Sequence, residues 1–246
     1  MSADEMEKTA LQRLDRAVGV FIRKLFEVPG WREARAASLM RTLDLDGDRL
    51  DAPEPEAVEL SPEMELQHAV VGAYLEVQDV VQSVKTCEYY FRRFPFRGLP
   101  VTLQEHLSNA CELYFNRIYQ FKERLKNLVD AVDALVPNHR LDFGKFIKDF
   151  SREFGQEIRE RNQIHHSEKF VDLEIERVFL LGVRDETFRK RGLKAQQQRH
   201  YRKVAREWAN RVRRRSAQLD VFHEALADGL LRACPFLAEA ERTGTL

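Results

Sequence analysis

The sequence predicts an all-α fold: an antiparallel helical bundle with an N-terminal helical extension and a long basic C-terminal helix. Three observations carry this expectation. Gly and Pro are scarce, at 11 and 8 of 246 residues, which favours long helices over many short strands. Two stretches of roughly 30 residues place apolar side chains at alternating spacings of four and three. A short turn joins these stretches, so they should pack antiparallel along matching seams. At 43% hydrophobic and 33% charged, the chain is highly charged yet apolar enough to bury a core.

The elements follow in order. Residues 4–27 form an amphipathic helix with Leu11, Leu14, Val18, Phe21 or Ile22, and Leu25 on one face, ended by Pro29-Gly30. Residues 31–43 form a short helix and 44–60 an acidic loop. Asp44, Asp46 and Asp48 alternate there as in an EF-hand, but Arg49 occupies the position of its glycine and Pro55 that of its last Glu, which excludes a calcium loop. Ser61-Pro62 is an N-cap followed by proline at the first helical position. The long helix after it carries Leu66, Val70, Ala73, Val77, Val80, Val84, Cys87, Phe91 and Phe94 on one stripe, and "PFRGLP" ends it. Thr102 and Glu105 form a capping box for the second long helix, whose stripe runs Leu107, Cys111, Tyr114, Ile118, Phe121, Leu125, Leu128, Val132 and Leu135.

Pro137 stops that helix. A third begins near Asp142, turns Phe143, Ile147, Phe150, Phe154 and Ile158 inward, and runs straight on into "EIRERNQIHHSEKF", residues 157–170. Residues 168–183 are ambiguous: "VDLEIE" alternates like a strand, while its length and neighbours favour a short helix. A long basic helix closes the fold, with Val204, Trp208, Val212, Leu219, Phe222, Leu226 and Leu230 on its apolar side. Two domains are expected, an extension with its acidic loop over 1–60 and the bundle over 61–246.

Formal net charge is zero, but its distribution is uneven. Residues 1–82 hold 9 basic and 17 acidic side chains, whereas residues 184–215 hold 13 basic and 3 acidic. The basic segment is either a polyanion surface or a solvated face that complements the acidic N-terminal part. Three cysteines, far apart and without a CxxC, argue against a disulfide framework or a Cys-rich zinc site and fit a reducing cytoplasm. No stretch approaches the ~20 apolar residues that span a membrane. The chain contains no GxxxxGK, GxSxG or HExxH. His68, His106, His139, His200 and His223 are scattered and read as surface or hydrogen-bonded histidines.

That leaves Arg161, Asn162, His165 and His166. An Arg followed by a His at loose spacing is expected about two or three times by chance in this chain; requiring Asn directly after the Arg lowers that to roughly two in a hundred. Arg-Asn-x-x-x-His near the end of a bundle helix resembles the signature of the HEPN superfamily (higher eukaryotes and prokaryotes nucleotide-binding). The resemblance covers residues 61–230 in architecture and about six residues in motif. It implies a metal-independent endoribonuclease that needs no cofactor, acts as a homodimer, and serves as a toxin or defence effector with an antitoxin or regulatory protein as partner. Some HEPN toxins extend the motif to His-x-Tyr; Glu168 stands here instead, so regulation through that tyrosine is not expected.

The residue chemistry suits this reading. An Arg fork holds a phosphate and stabilises its transition-state charge, and a His exchanges protons near neutral pH. Arg161 and His166 are the expected catalytic pair. Asn162, one helical turn before His166, would fix its imidazole, and His165 would be accessory. An Arg161/His165 pairing is the alternative, because those two share a helix face. RNA is expected to lie along Arg199, Arg202, Lys203, Arg206, Arg213, Arg214 and Arg215. Two blander readings stand beside this one: Glu157 and Arg161 form an ordinary i,i+4 ion pair at a helix end, or the bundle binds nucleotide, RNA or a protein partner without turnover.

Overall fold

The structure, a computed structural model, describes residues 9–43, 58–96, 98–165, 170–188 and 191–243. Among them there are nine helices and no strand. They are α1 (Ala10–Leu25), α2 (Trp31–Leu43), α3 (Pro62–Tyr90), α4 (Leu103–Leu135), α5 (Phe143–Glu153), α6 (Gly155–His165), α7 (Leu173–Phe188), α8 (Arg191–Ala233) and α9 (Pro235–Thr243). The all-α expectation holds. No helix among the described residues is long and apolar enough to cross a membrane. Of the acidic loop expected over residues 44–60, residues 44–57 lie outside the described residues.

Two compact units divide the chain. One contains Met1–Gly72, Asp130–Leu141 and Glu224–Leu246; the other contains Ala73–Val129 and Asp142–His223. The expected segments 1–60 and 61–246 partition the chain by sequence, whereas these units partition it by packing.

In the first unit α1 packs on α9. Thr9 and Gln12 close a capping box at the start of α1, and the Glu224 carboxylate accepts from the Ala10 N–H at 2.5 Å, so the first-turn donors are satisfied. Phe21, not Ile22, is the buried member of that position pair, and its ring meets Phe236 edge-on at 5.5 Å. Arg13 and Glu241 pair beside it through two contacts of 2.5 and 3.1 Å. The helix ends before Gly30, whose φ of +80° lies in the left-handed region that glycine enters without a Cβ penalty.

The second unit holds the bundle. Glu76 of α3 pairs with Arg124 of α4 at 3.0 Å, and the Tyr90 carbonyl at the other end of α3 bonds the His106 ring near the start of α4. This crossed order makes the two helices antiparallel. The Thr102/Glu105 box caps α4 with bonds of 2.8 and 3.1 Å. The two long stripes are buried as the spacing predicts, from Val77 to Cys87 on one side and Leu107 to Leu128 on the other. Phe150 and Phe154 stack at 4.7 Å and lie against Phe222, with Phe121 behind them. Cys87, Cys111 and Cys234 are all free and buried, and burial pushes the Cys87 thiol up to about 11.

Three elements differ from or refine the expectation. α3 ends at Tyr90, so Phe91 and Phe94, expected on its stripe, lie in the connection after it. The third helix is not continuous: it breaks into α5 and α6 at Phe154, whose φ of −97° and ψ of 23° leave the helical range. Gly155, a poor helix residue, follows the break, and Arg215 Nη2 donates to the Glu153 carbonyl at 2.6 Å, so the polar backbone there is satisfied. Residues 173–188 resolve as helix. Asp172 explains why, since its carboxylate accepts from the Glu174 and Ile175 N–H groups at 2.8 and 3.2 Å and nucleates the first turn.

One surface cluster carries a pH signature. Glu88 of α3 accepts from Arg213 of α8 at 2.6 Å and from Arg92. The Arg213 hydrogen bond, helped by Arg92 and opposed by burial, lowers the Glu88 carboxyl to about 2. A depressed carboxyl stabilises the fold above the ordinary Glu range near ~4.3 and stops doing so as pH falls toward about 2. The melting-temperature gap between the parent and Glu88→Gln should be full at pH 6 and close between pH 4 and pH 2 in thermal scans. A gap that does not change with pH would contradict the pairing.

Candidate functional site

Arg161 sits on the last turns of α6 and is half-buried. Its guanidinium carbon lies 3.9 Å from the centroid of the Tyr119 ring on α4. Its Nη1 donates to Asn162 Oδ1 at 3.3 Å. Its Nε is buried without a hydrogen-bond partner among the described residues. Stacking on one face and the Asn162 contact at one corner hold the fork in place. The motif's first two residues are therefore in contact. His165 is exposed at the end of α6. His166, the next residue, lies outside the described residues.

The simple ion pair between Glu157 and Arg161 does not form. Glu157, only 2% exposed, turns to other partners. Arg215 grips it with both arms of its fork, Nε to Oε1 at 2.9 Å and Nη2 to Oε2 at 3.0 Å. Arg211 Nη2 approaches Oε1 at 3.7 Å, and the Tyr114 hydroxyl donates to the same oxygen at 3.3 Å. Burial and the adjacent Glu157 charge push the Tyr114 phenol well above its usual range, so it stays protonated and can donate. A bidentate Arg is the strongest partner a buried carboxylate can take. It leaves Arg161 next to a carboxylate that is already neutralised.

The seven cations expected to contact RNA do not stand alike. At 100° per residue, Arg199, Arg202, Arg206 and Arg213 fall within an arc of about 60° on α8, with Lys203 and Arg214 adjoining it. All six are exposed. Arg213 is shared with Glu88, and Lys203 lies 4.0 Å from Glu174 and 3.9 Å from Glu207. Arg199, Arg202, Arg206 and Arg214 have no ion pair among the described residues.

Arg215 points elsewhere. It is 17% exposed, stacks over Phe154 at 4.2 Å and spends its donors on Glu157, Glu153 and Gln218. Its place on α8, about 160° round from Arg199, already puts it toward the buried stripe. Trp208 is core, stacked on Phe91 at 5.9 Å. Tyr119 was not legible as a site residue from its neighbours; only its position beside the core residue Ile118 hinted at a partly covered ring. No three His, Cys, Asp or Glu side chains among the described residues are grouped to hold a metal ion. No protein-family model, curated protein or solved structure matches this chain.

Proposed function

We propose that this chain is a metal-independent endoribonuclease of the HEPN type, with Arg161 and His166 as its catalytic pair and Asn162 as their positioning neighbour. The observation that supports it best is the state of Arg161. Its guanidinium is partly stripped of water, fixed on Tyr119, and left with an unpartnered Nε while the nearby carboxylate is taken by Arg215. A partly desolvated cation that has no ion pair among the described residues attracts an anion, and a planar fork suits a phosphate.

The chemistry needs little more. The 2′-oxygen of the substrate attacks the adjacent phosphorus and the P–O5′ bond breaks. One group takes the proton from the 2′-hydroxyl and another delivers a proton to the leaving 5′-oxygen. Arg161 stabilises the charge that builds on the phosphoryl oxygens. The products are a 2′,3′-cyclic phosphate and a 5′-hydroxyl. DNA, lacking the nucleophile, is spared. Cleavage of RNA in the presence of EDTA, with those ends and no cleavage of the matching DNA, is the expected result. Binding of RNA with no cleavage would favour the non-catalytic bundle instead.

Acid and base are two roles, and the motif occurs once in the chain. A homodimer would supply the second imidazole. α7, the element that follows the motif, exposes Leu173 (74%) and Leu180 (56%), which lie seven residues apart and so on one face. An apolar face of this kind suits a second copy. Leu173→Glu with Leu180→Glu should give monomers in sedimentation velocity, and cleavage should fall with the dimer fraction. Monomers of undiminished activity would rule the shared site out. An antitoxin or regulatory protein remains part of the reading through the family resemblance alone.

A further inference from the structure

Away from Arg161, the second unit contains an open groove of about 810 Å³. Arg92, Arg93 and Phe94, in the connection after α3, form one wall; Lys194, Tyr201 and Arg202, on the first part of α8, form the other. No acidic residue among the described ones lines it. Arg92 is engaged with Glu88, and its guanidinium rests 4.7 Å from the Tyr89 ring centroid. Arg93, Lys194 and Arg202 are exposed and have no ion pair among the described residues. Three cations are therefore left without a counter-charge around one concave surface.

Between the cations the surface is aromatic. Phe94 meets His106 at 5.6 Å and Tyr201 at 6.1 Å, both edge-on. The Tyr201 hydroxyl lies 3.0 Å from His106 Nδ1, and the Tyr90 carbonyl bonds the same imidazole. Donation from the ring to that carbonyl leaves Nδ1 to accept from Tyr201. Burial lowers the His106 pKa, so the floor is neutral at physiological pH.

The charges are strung out. Lys194 and Arg202 are eight residues apart on one helix, a separation of about 12 Å along its axis. A compact anion would touch one of them, whereas an extended phosphodiester chain can engage both and Arg93 as well. Gln198, between them on the groove face, adds a donor and an acceptor for a base edge or ribose. Cations along a groove with an aromatic floor are what a single strand requires, since its unpaired bases can lie against a ring while the phosphates follow the charge.

We infer that this groove binds a single-stranded segment of the RNA substrate, its phosphates on Arg93, Lys194 and Arg202 and a base against Phe94. The choice of RNA rests on the proposed ribonuclease activity; the binding geometry does not. A phosphate track and an aromatic platform do not read the 2′-hydroxyl, so single-stranded DNA should occupy the groove without being cut.

The test uses the full chain and separates binding from turnover. A fluorescent single-stranded DNA oligonucleotide, titrated in anisotropy, should bind in a salt-dependent manner. Arg93→Glu with Arg202→Glu should weaken it by at least roughly tenfold and lower the slope of log K against log salt by about 1.4. Phe94→Ala should weaken it by roughly tenfold with the slope unchanged. With RNA as substrate, the double variant should raise KM and leave kcat within about twofold, a loss of uniform binding. Unchanged DNA affinity or unchanged KM in the double variant overturns the inference even if the wild type cleaves RNA. Displacement of the strand by a nucleoside triphosphate, with tight triphosphate binding that itself depends on Arg93 and Arg202, overturns it in favour of a mononucleotide. Groove-dependent strand binding by a protein that cleaves nothing sustains the groove and removes the ribonuclease.

Discussion

Replacing Arg215 by alanine should cost about 3–5 kcal/mol of stability, the usual penalty for stripping a partner from a buried charge. Glu157 is 2% exposed and depends on Arg215 for its bidentate contact. The truncation leaves that carboxylate with the weaker Arg211 contact and the Tyr114 hydroxyl. It also removes the donor to the Glu153 carbonyl at the α5–α6 break and the cation over Phe154. For a chain of this size the loss corresponds to a fall in melting temperature of roughly 6–20 °C. Arg215→Lys should recover little, because a point charge cannot span both carboxylate oxygens. Removing both charges, as Glu157→Leu with Arg215→Met, should melt higher than Arg215→Ala alone, since no unpaired charge remains buried. Thermal unfolding of the three variants measures this. Arg215→Ala melting with the wild type would mean the clamp does not form.

Arg161→Ala should do the opposite: little to the fold and much to the chemistry. Its structural contacts are the Tyr119 ring and Asn162, and a cation–π contact of this kind is worth about 0.5–2 kcal/mol. If Arg161 neutralises the phosphoryl oxygens, its loss should lower kcat by on the order of 10²- to 10³-fold. Arg161→Lys should restore charge but not the fork, and so recover only part of the rate. His166→Ala should remove cleavage as well, while His165→Ala, one position away, should act weakly. If instead His165→Ala is the damaging variant, the catalytic pair is Arg161 with His165. Single-turnover cleavage in EDTA, with circular dichroism to check folding, distinguishes these outcomes. Full activity in Arg161→Ala would end the ribonuclease proposal.

Much of the architecture was readable because helices are local objects. Apolar spacing and the Thr102/Glu105 box act over three or four residues, and both reappear in the fold. The ambiguous stretch before α7 was harder, since alternation suited a strand; the Asp172 carboxylate decided it from just upstream. The motif was readable as residue types at a spacing. What those residues touch was not.

The sequence by itself determined the two long helices and their buried stripes, through short-range periodicity, together with the uneven charge and the Arg-Asn-x-x-x-His pattern. Tertiary structure decided the partners. Glu157 stands one turn before Arg161 and would pair with it on an isolated helix, yet Arg215, 58 residues away, takes it. A buried carboxylate binds the fork that can reach both its oxygens, and which fork arrives depends on how α8 packs against α6. Tertiary packing also withdrew Arg215 from the basic face, set the Tyr119 ring of α4 against Arg161, and gathered Arg93, Lys194 and Arg202 around an aromatic groove. No window of neighbouring residues contains those choices, because each is a competition between side chains that only folding brings within reach.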